Sequence, residues 1–149
     1  MRKEFVMRGQ TDSGETEVLN FSGFKPGTAY RLTEFQLYPS NTLGVGTNQE
    51  LCGSITAGKT AIAPETDLDY NNEALIATSY LTLEIGAGPV SVHTVVNDTF
   101  LITQNLILMV KDQGGDSNPI NWQCRFVPVK MSGPEEAVTN YKQFAISDE

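Results

Sequence analysis

The stretch from Gly53 to Thr60 carries residue types that could hold a phosphate group. Its sequence, Gly-Ser-Ile-Thr-Ala-Gly-Lys-Thr, fits the pattern G-x-x-x-x-G-K-S/T, in which backbone amides cradle phosphates and the lysine reaches the β- and γ-phosphates. That chemistry requires a helix that begins at the lysine, here Lys59. Pro64 falls where this helix should be established, and Ser54–Ala57 has the composition of a strand. We therefore predict a β-strand that ends in a Gly-Lys turn, and no nucleotide site.

A second candidate is the acidic loop that contains Asp67, Asp69 and Asn71. Alternating oxygen-bearing side chains of this kind form the first half of a calcium-binding loop, where they converge on one cation. The glycine that such a loop needs next is replaced by Asn72, and Thr78 stands in place of the bidentate glutamate. We predict an exposed acidic loop, and the sequence leaves open whether this loop binds calcium.

The remaining reactive side chains lack partners at a useful spacing. His93 is the single histidine and lies in a predicted strand, and no Cys/His spacing typical of a zinc site accompanies it. The G-x-S-x-G elbow of a Ser-His-Asp hydrolase is also missing from the sequence. We therefore assign no catalytic, cofactor-binding or metal-binding residue, expect no cofactor, and predict that the protein is not an enzyme.

The two cysteines, Cys52 and Cys124, both lie in predicted strands. The N-terminus has no apolar segment typical of a secretory signal, and no stretch approaches the roughly 20 apolar residues of a membrane helix. We thus expect a protein that is made in a cytoplasm, does not insert into membranes, and keeps both thiols reduced and buried. A disulfide between the two is the alternative, and it requires Cα atoms about 4.4–6.8 Å apart.

The segment from Val90 to Met131 contains three predicted strands in succession. They are separated by Asn97-Asp98 and by a turn-rich run of Gly, Asp, Ser, Asn and Pro. The three strands cover Val90–Val96, Phe100–Val110 and Ile120–Val129. Such a succession predicts an antiparallel meander, which is a scaffold made by packing.

The apolar positions of these strands predict the core. In the last strand, Trp122, Cys124 and Phe126 share one parity opposite Asn, Gln and Arg, which indicates a row that faces the core. The predicted core residues are Phe100, Leu101, Leu106, Leu108, Val110, Trp122, Cys124 and Phe126.

Further predicted strands cover Val18–Phe21, Tyr30–Tyr38, Leu51–Ala57, the second half of Glu73–Glu84, and Lys142–Ile146. Ser132 as N-cap, followed three residues later by Glu135, predicts a short helix that ends at about Tyr141. Short strands at this spacing indicate a single domain over residues 1–149 with an all-β fold. We predict an antiparallel, jelly-roll-like β-sandwich of about eight strands, with one short helix near the C-terminus.

The chain is acidic, with a formal net charge of −8 and a pI near 4.6. This charge argues against nucleic acid as the main partner. It is also unevenly placed, because no lysine or arginine occurs between Lys59 and Lys111. We interpret this region as a solvated acidic rim.

Three features of the sequence occur together. They are a short N-terminal arm with Arg2, Lys3 and Arg8, a compact set of antiparallel strands, and loops rich in Thr, Asn and Gly. In architecture, over most of its length, the chain resembles small β-sandwich virion proteins of bacterial viruses. The resemblance implies a capsid or capsid-decorating subunit, located in the virion, that forms a homo-oligomer or binds other virion proteins. The alternative is a carbohydrate- or ligand-binding β-sandwich module, which exposed tyrosines would favour. A nucleotide hydrolase would require a genuine phosphate site at Gly53–Thr60.

Residues 1–15, the possible arm, admit two interpretations. Phe5, Val6 and Met7 form an apolar patch beside three basic residues, and this patch could add as a strand to an acidic neighbouring subunit. The competing account is that the arm folds back as an edge strand of its own sheet. Deletion of residues 1–8 distinguishes the two, because the first predicts a loss of assembly and the second a loss of melting temperature.

Overall fold

The computed structural model describes residues 4–21, 28–41, 48–58, 60–66, 68–84, 88–114, 117–131, 134, 138 and 139. The strands are β1 (Phe5–Thr11), β2 (Thr16–Leu19), β3 (Thr28–Pro39), β4 (Gln49–Thr56), β5 (Leu75–Glu84), β6 (Gly88–Val96), β7 (Leu106–Asp112) and β8 (Ile120–Lys130). The predicted all-β fold of about eight strands is therefore confirmed. The helix predicted from Ser132 to about Tyr141 and the strand predicted for Lys142–Ile146 lie largely outside the described residues. No helix within the described ranges has the length and apolar character needed to span a membrane.

The strands form two sheets that face each other as a sandwich. One sheet has three strands in the order β1-β8-β3, and the other has five in the order β2-β7-β4-β5-β6. Every pair of neighbouring strands is antiparallel. A jelly roll is an eight-stranded double sheet that pairs the first strand with the eighth, the second with the seventh, the third with the sixth and the fourth with the fifth. Three of these pairings are present here, whereas β6 lies at the end of the larger sheet, hydrogen-bonded to β5 instead of β3. The sandwich is therefore open along the side between β3 and β6.

The core lies between the sheets, and burial alternates most clearly on β7 and β8. Every second residue is buried on β7 and on β8 as far as Phe126, and the predicted row of Trp122, Cys124 and Phe126 faces this core as expected. Burial of each large apolar side chain contributes roughly 1.5–3 kcal/mol. The same alternation directs Phe35 and Leu37 of β3 inward against Gly53, where an added Cβ would lie 3.0 Å from the Phe35 ring.

The strand predicted for Phe100–Val110 is shorter than expected and begins at Leu106. Residues 97–105 form a connection that passes beside β3, where Ile102 and Tyr30 exchange backbone hydrogen bonds of 2.8 and 2.9 Å. Ile102 is fully buried, Phe100 is half-buried and packs against the core, and Leu101 is half-buried without being part of this cluster. The apolar residues of this segment lie in a loop that passes beside β3. A pattern of apolar residues alone does not distinguish such a loop from a strand.

The possible arm belongs largely to the smaller sheet in this structure. Residues Phe5–Thr11 pair with β8 along their whole length as its outer strand, and Phe5 packs against the rings of Phe21, Tyr30 and Phe126. Residues 5–11 therefore form an edge strand of their own sheet, which is the second of the two interpretations of the arm. The turn that follows uses Gly14 at a φ of 85°, a backbone conformation that glycine adopts without strain.

Candidate functional site

The open side of the sandwich consists of the free edge of β3, the free edge of β6 and the groove between them. On β3, Tyr30 directs its backbone amide and carbonyl away from β8, because it bonds Ile102 on that side. A bulge separates Leu32 from Glu34 in the pairing with β8. Alternation beyond this bulge directs the backbone groups of Phe35 and Leu37 to the free edge.

The free edge of β6 follows from its pairing with β5. The amide of Asn97 donates to the carbonyl of Ile76 at 2.8 Å, which fixes the residues of β6 that bond β5. By alternation, Val92, Thr94 and Val96 direct their amides and carbonyls away from β5, toward solvent. Among the described residues, these three outward positions therefore present backbone donors and acceptors with no strand paired to them.

The groove between the two edges has a volume of about 620 Å³. Residues 33–38 of β3 form one wall, and the other wall comprises Ser79 and Leu81 of β5 with Val92, Thr94, Val96 and Asp98. The hydroxyls of Ser79 and Thr94 hydrogen-bond each other at 2.9 Å across the β5–β6 pair. The groove thus has a mixed lining, in which aliphatic and aromatic side chains lie beside hydroxyl, amide and carboxylate groups.

The side chains from Val92 to Val95 of β6 are all exposed. Val92 is 60% exposed on the groove side and Val95 is 50% exposed on the outer face, and Tyr80 of the neighbouring strand is 43% exposed beside them. None of the nine residues of β6 is charged. Pro89, near the beginning of the strand, has no backbone N–H and so cannot donate a hydrogen bond to a further strand. The residues after it in β6 include no proline.

The other three edge strands in the described part of the chain have features that discourage further pairing. β1 carries the exposed Arg8, and β2 has four residues and carries the exposed Glu17. The free edge of β3 is covered at one end by Ile102 and distorted by the bulge. Charges, short length and bulges are the usual means by which proteins protect sheet edges. An uncharged edge such as β6 is the one suited to bind another strand.

The rim of the groove carries the carboxylates of Glu34 and Asp98. Glu34 forms an exposed ion pair with Arg125, whose Nε lies 3.4 Å from the Glu34 Oε2. Across the described ranges, no three histidine, cysteine, aspartate or glutamate side chains come together in a way that could hold a metal ion.

The segment Gly53–Thr56 is a strand, as predicted, and its arrangement is unlike that of a phosphate loop. It belongs to β4, which is paired with β5 on one side and β7 on the other, so its backbone amides serve the sheet. Ser54 Oγ donates to the carbonyl of Ile62, and the Ile62 amide donates to Thr56 Oγ1 at 3.3 Å. These hydroxyls hold the following loop against the outer face of the sheet. Lys59 lies outside the described residues.

The acidic loop uses its oxygens for local turns. Asp69 Oδ1 accepts a hydrogen bond from the Asn71 amide at 2.9 Å, and the Asn72 side chain accepts one from the Ala74 amide at 3.0 Å. Asp69 and Asn71 are both exposed, while Asp67 lies outside the described residues.

Tyr80 lies between His93 and Cys52 in the larger sheet, and Cys124 lies in the smaller one. His93 is exposed on the outer face of β6 and pairs with Tyr80 of β5. Cys52 faces the outside of the larger sheet and Cys124 faces the core from the smaller one, and both thiols are free and buried. Burial, followed by the charge of Glu65, raises the pKa of the Cys52 thiol to about 12. Burial alone raises the pKa of Cys124.

Sequence reasoning did not identify the open side of the sandwich. A signal was present in Val90–Val96, a β-branched run with no charged residue in a chain of net charge −8. The partners of a strand depend on long-range pairing, however, so the sequence alone did not indicate that this run is an edge. The chain matches no protein-family model, and no curated protein sequence is significantly similar to it.

Proposed function

We propose that this protein is a non-enzymatic structural subunit that assembles through the open side of its sandwich. The observation that carries the proposal is the exposed, uncharged edge of β6, with Val92 60% and Val95 50% exposed. An unpaired apolar edge strand is a template for pairing with another chain. The setting we propose is a virion, in which the protein is a capsid or capsid-decorating subunit made in the host cytoplasm.

The polar groups that could suggest catalysis have structural partners. The hydroxyls of Ser54 and Thr56 bond the backbone of the loop after β4. The buried carboxylate of Asp112 accepts hydrogen bonds from the amides of Glu50, Gly114 and Asn118. These contacts support a role for the scaffold in assembly rather than in chemistry.

Light scattering across protein concentration tests the assembly proposal. We expect a mass above the 16.3 kDa of one chain, rising with concentration. The mass should also rise with salt, since salt screens the repulsion between copies that each carry a net charge of −8. A mass that stays at one chain under all of these conditions would contradict self-assembly. Detection of many copies of the chain in purified virus particles tests the virion setting.

A ligand-binding module is the second candidate, and the position of Tyr38 favours it. Tyr38 is 61% exposed at one end of the groove, and Gln36, two residues earlier on the same strand, adds a hydrogen-bonding amide. An exposed aromatic ring beside an amide group is a surface on which a sugar can stack. Screening of a glycan panel should then give a saturable ligand whose affinity falls in Tyr38→Ala. Tyr70→Ala is the matched control, because Tyr70 is 62% exposed and does not line the groove.

A further inference from the structure

We infer that β6 pairs antiparallel with β6 of a second copy of this chain, about a two-fold axis at Thr94. The inference rests on the proposed function and names the partner and the symmetry of its interface. Such an interface joins the two larger sheets edge to edge into one continuous sheet.

The backbone positions of β6 suit this symmetry. The residues with outward-directed amides and carbonyls are Val92, Thr94 and Val96, which are spaced evenly about Thr94. A two-fold axis there sets Thr94 opposite its own copy and Val92 opposite Val96 of the partner subunit. In an antiparallel ladder, each such pair can exchange both of its N–H···O=C hydrogen bonds.

The side chains are equally self-complementary. Val92 and Val96 lie on the groove face, so that face would carry valine against valine with threonine at the centre. On the outer face, His93 would lie opposite Val95 of the partner subunit. Cross-strand pairs of β-branched residues are favourable, and the pairing brings no like charges directly opposite each other.

The absence of charge on β6 suits a second copy as the occupant. Two copies each carry a net charge of −8, so they approach most easily through a surface without carboxylates. β6 has no charged residue. Asp98, the acid nearest to Thr94 in sequence, lies beyond the end of β6 at Val96.

A pair of matched lysine variants tests the interface. Val92 and Val18 are both valines on edge strands and both are 60% exposed, but Val18 lies on β2. We expect Val92→Lys to weaken dimerisation, measured by sedimentation equilibrium, by about tenfold or more, since it places a charge in the new pairing. Val18→Lys should leave the dimerisation constant unchanged. Equal effects of the two variants would overturn the inference, and circular dichroism checks that both remain folded.

Disulfide trapping provides an independent measurement. Across the proposed axis the two copies of residue 94 are directly opposed, with Cα atoms about 5.5 Å apart, a distance that a disulfide can span. Thr94→Cys should therefore form a covalent dimer under mild oxidation. In the control Val95→Cys, the two residues are offset along the strands by about 7 Å, which places their Cα atoms about 8 Å apart, beyond disulfide reach. Wild-type protein controls for the two native thiols, which are buried.

The outcomes separate this inference from the proposed function. If wild-type protein associates but Val92→Lys and Thr94→Cys behave like their controls, the β6 interface is wrong and assembly occurs elsewhere. If wild-type protein remains a monomer at high concentration and high salt, both self-assembly and the β6 interface are wrong. Dimers that are weakened by Val92→Lys and trapped by Thr94→Cys support both.

Discussion

The indole Nε1 of Trp122 donates a hydrogen bond to Thr11 Oγ1 at 2.9 Å, in a position where both residues are buried. This bond joins β8 to the last residue of β1, and it satisfies the one polar group of an otherwise apolar ring. Gly9 lies beneath the same indole, where an added Cβ would be 2.9 Å from Trp122 Cζ2. Two residues of β1, Gly9 and Thr11, thus contact the indole of Trp122.

Trp122→Ala should destabilise the protein by about 3–5 kcal/mol in urea unfolding, because it removes a large buried side chain and leaves a cavity. Thr11→Val should cost about 1–3 kcal/mol, since it leaves the indole N–H without its acceptor. Thr16→Val is the control, because Thr16 is exposed on β2. A cost below about 1 kcal/mol for Trp122→Ala would contradict the core position of the indole.

Deletion of residues 1–8 should lower the melting temperature. The deletion removes most of β1, and with it the contacts of Phe5 with Phe21, Tyr30 and Phe126. The contacting rings of these four residues have centroids 5.0–6.2 Å apart. Thermal unfolding followed by circular dichroism measures the effect, and deletion of residues 1–3 is the control because it leaves β1 intact. A truncated chain with unchanged melting temperature but reduced assembly mass would instead support an arm that docks on a neighbour.

Asp112 should be among the most sensitive polar positions. Its carboxylate is buried and accepts backbone hydrogen bonds from Glu50, Gly114 and Asn118 at 3.2, 2.8 and 3.2 Å, which ties the beginning of β4 to the loop after β7. Asp112→Ala leaves these amides without an acceptor, at a cost of about 1–3 kcal/mol for each amide that remains buried and unsatisfied.

Asp112→Asn is the informative comparison, because the asparagine side chain has nearly the same shape as aspartate and keeps one of its two acceptor oxygens. We expect a smaller loss in the urea unfolding free energy for Asn than for Ala. Equal losses would indicate that these hydrogen bonds contribute little to stability.

The parts of the fold that sequence could predict are those set by local pattern. The alternation around Trp122, Cys124 and Phe126 identified a core-facing row, and Pro64 correctly argued against a helix after Gly53. Local pattern does not determine which strands become neighbours, because pairing depends on contacts between residues distant in sequence. For this reason the jelly-roll-like order was partly anticipated, whereas the unpaired edge of β6 was not.

The thiol of Cys52 should make stability depend on pH in the alkaline range. Its pKa is raised from 9.0 to about 12 in the folded protein, mainly by burial, so the unfolded chain releases the proton first. The contribution is fully present below pH 9.0 and is lost as pH rises through about 12. The unfolding free energy should therefore fall over this range.

Other groups also titrate at alkaline pH, so the measurement is the difference between wild type and Cys52→Ala at each pH. We expect Cys52→Ala to show a shallower decline than the wild type. Parallel curves for the two proteins would show that the thiol keeps its ordinary pKa after folding.

The final prediction is that Gly53–Thr60 does not bind nucleotides. Residues Gly53–Thr56 lie in β4 between β5 and β7, so the amides that would cradle phosphates are committed to the sheet. Isothermal calorimetry with ATP and Mg²⁺ should give no heat of binding at millimolar ligand, for wild type and Lys59→Ala alike. A saturable signal that disappears in Lys59→Ala would contradict this prediction, because the lysine is the residue with which a phosphate loop reaches its ligand. It would also restore the nucleotide hydrolase as a candidate.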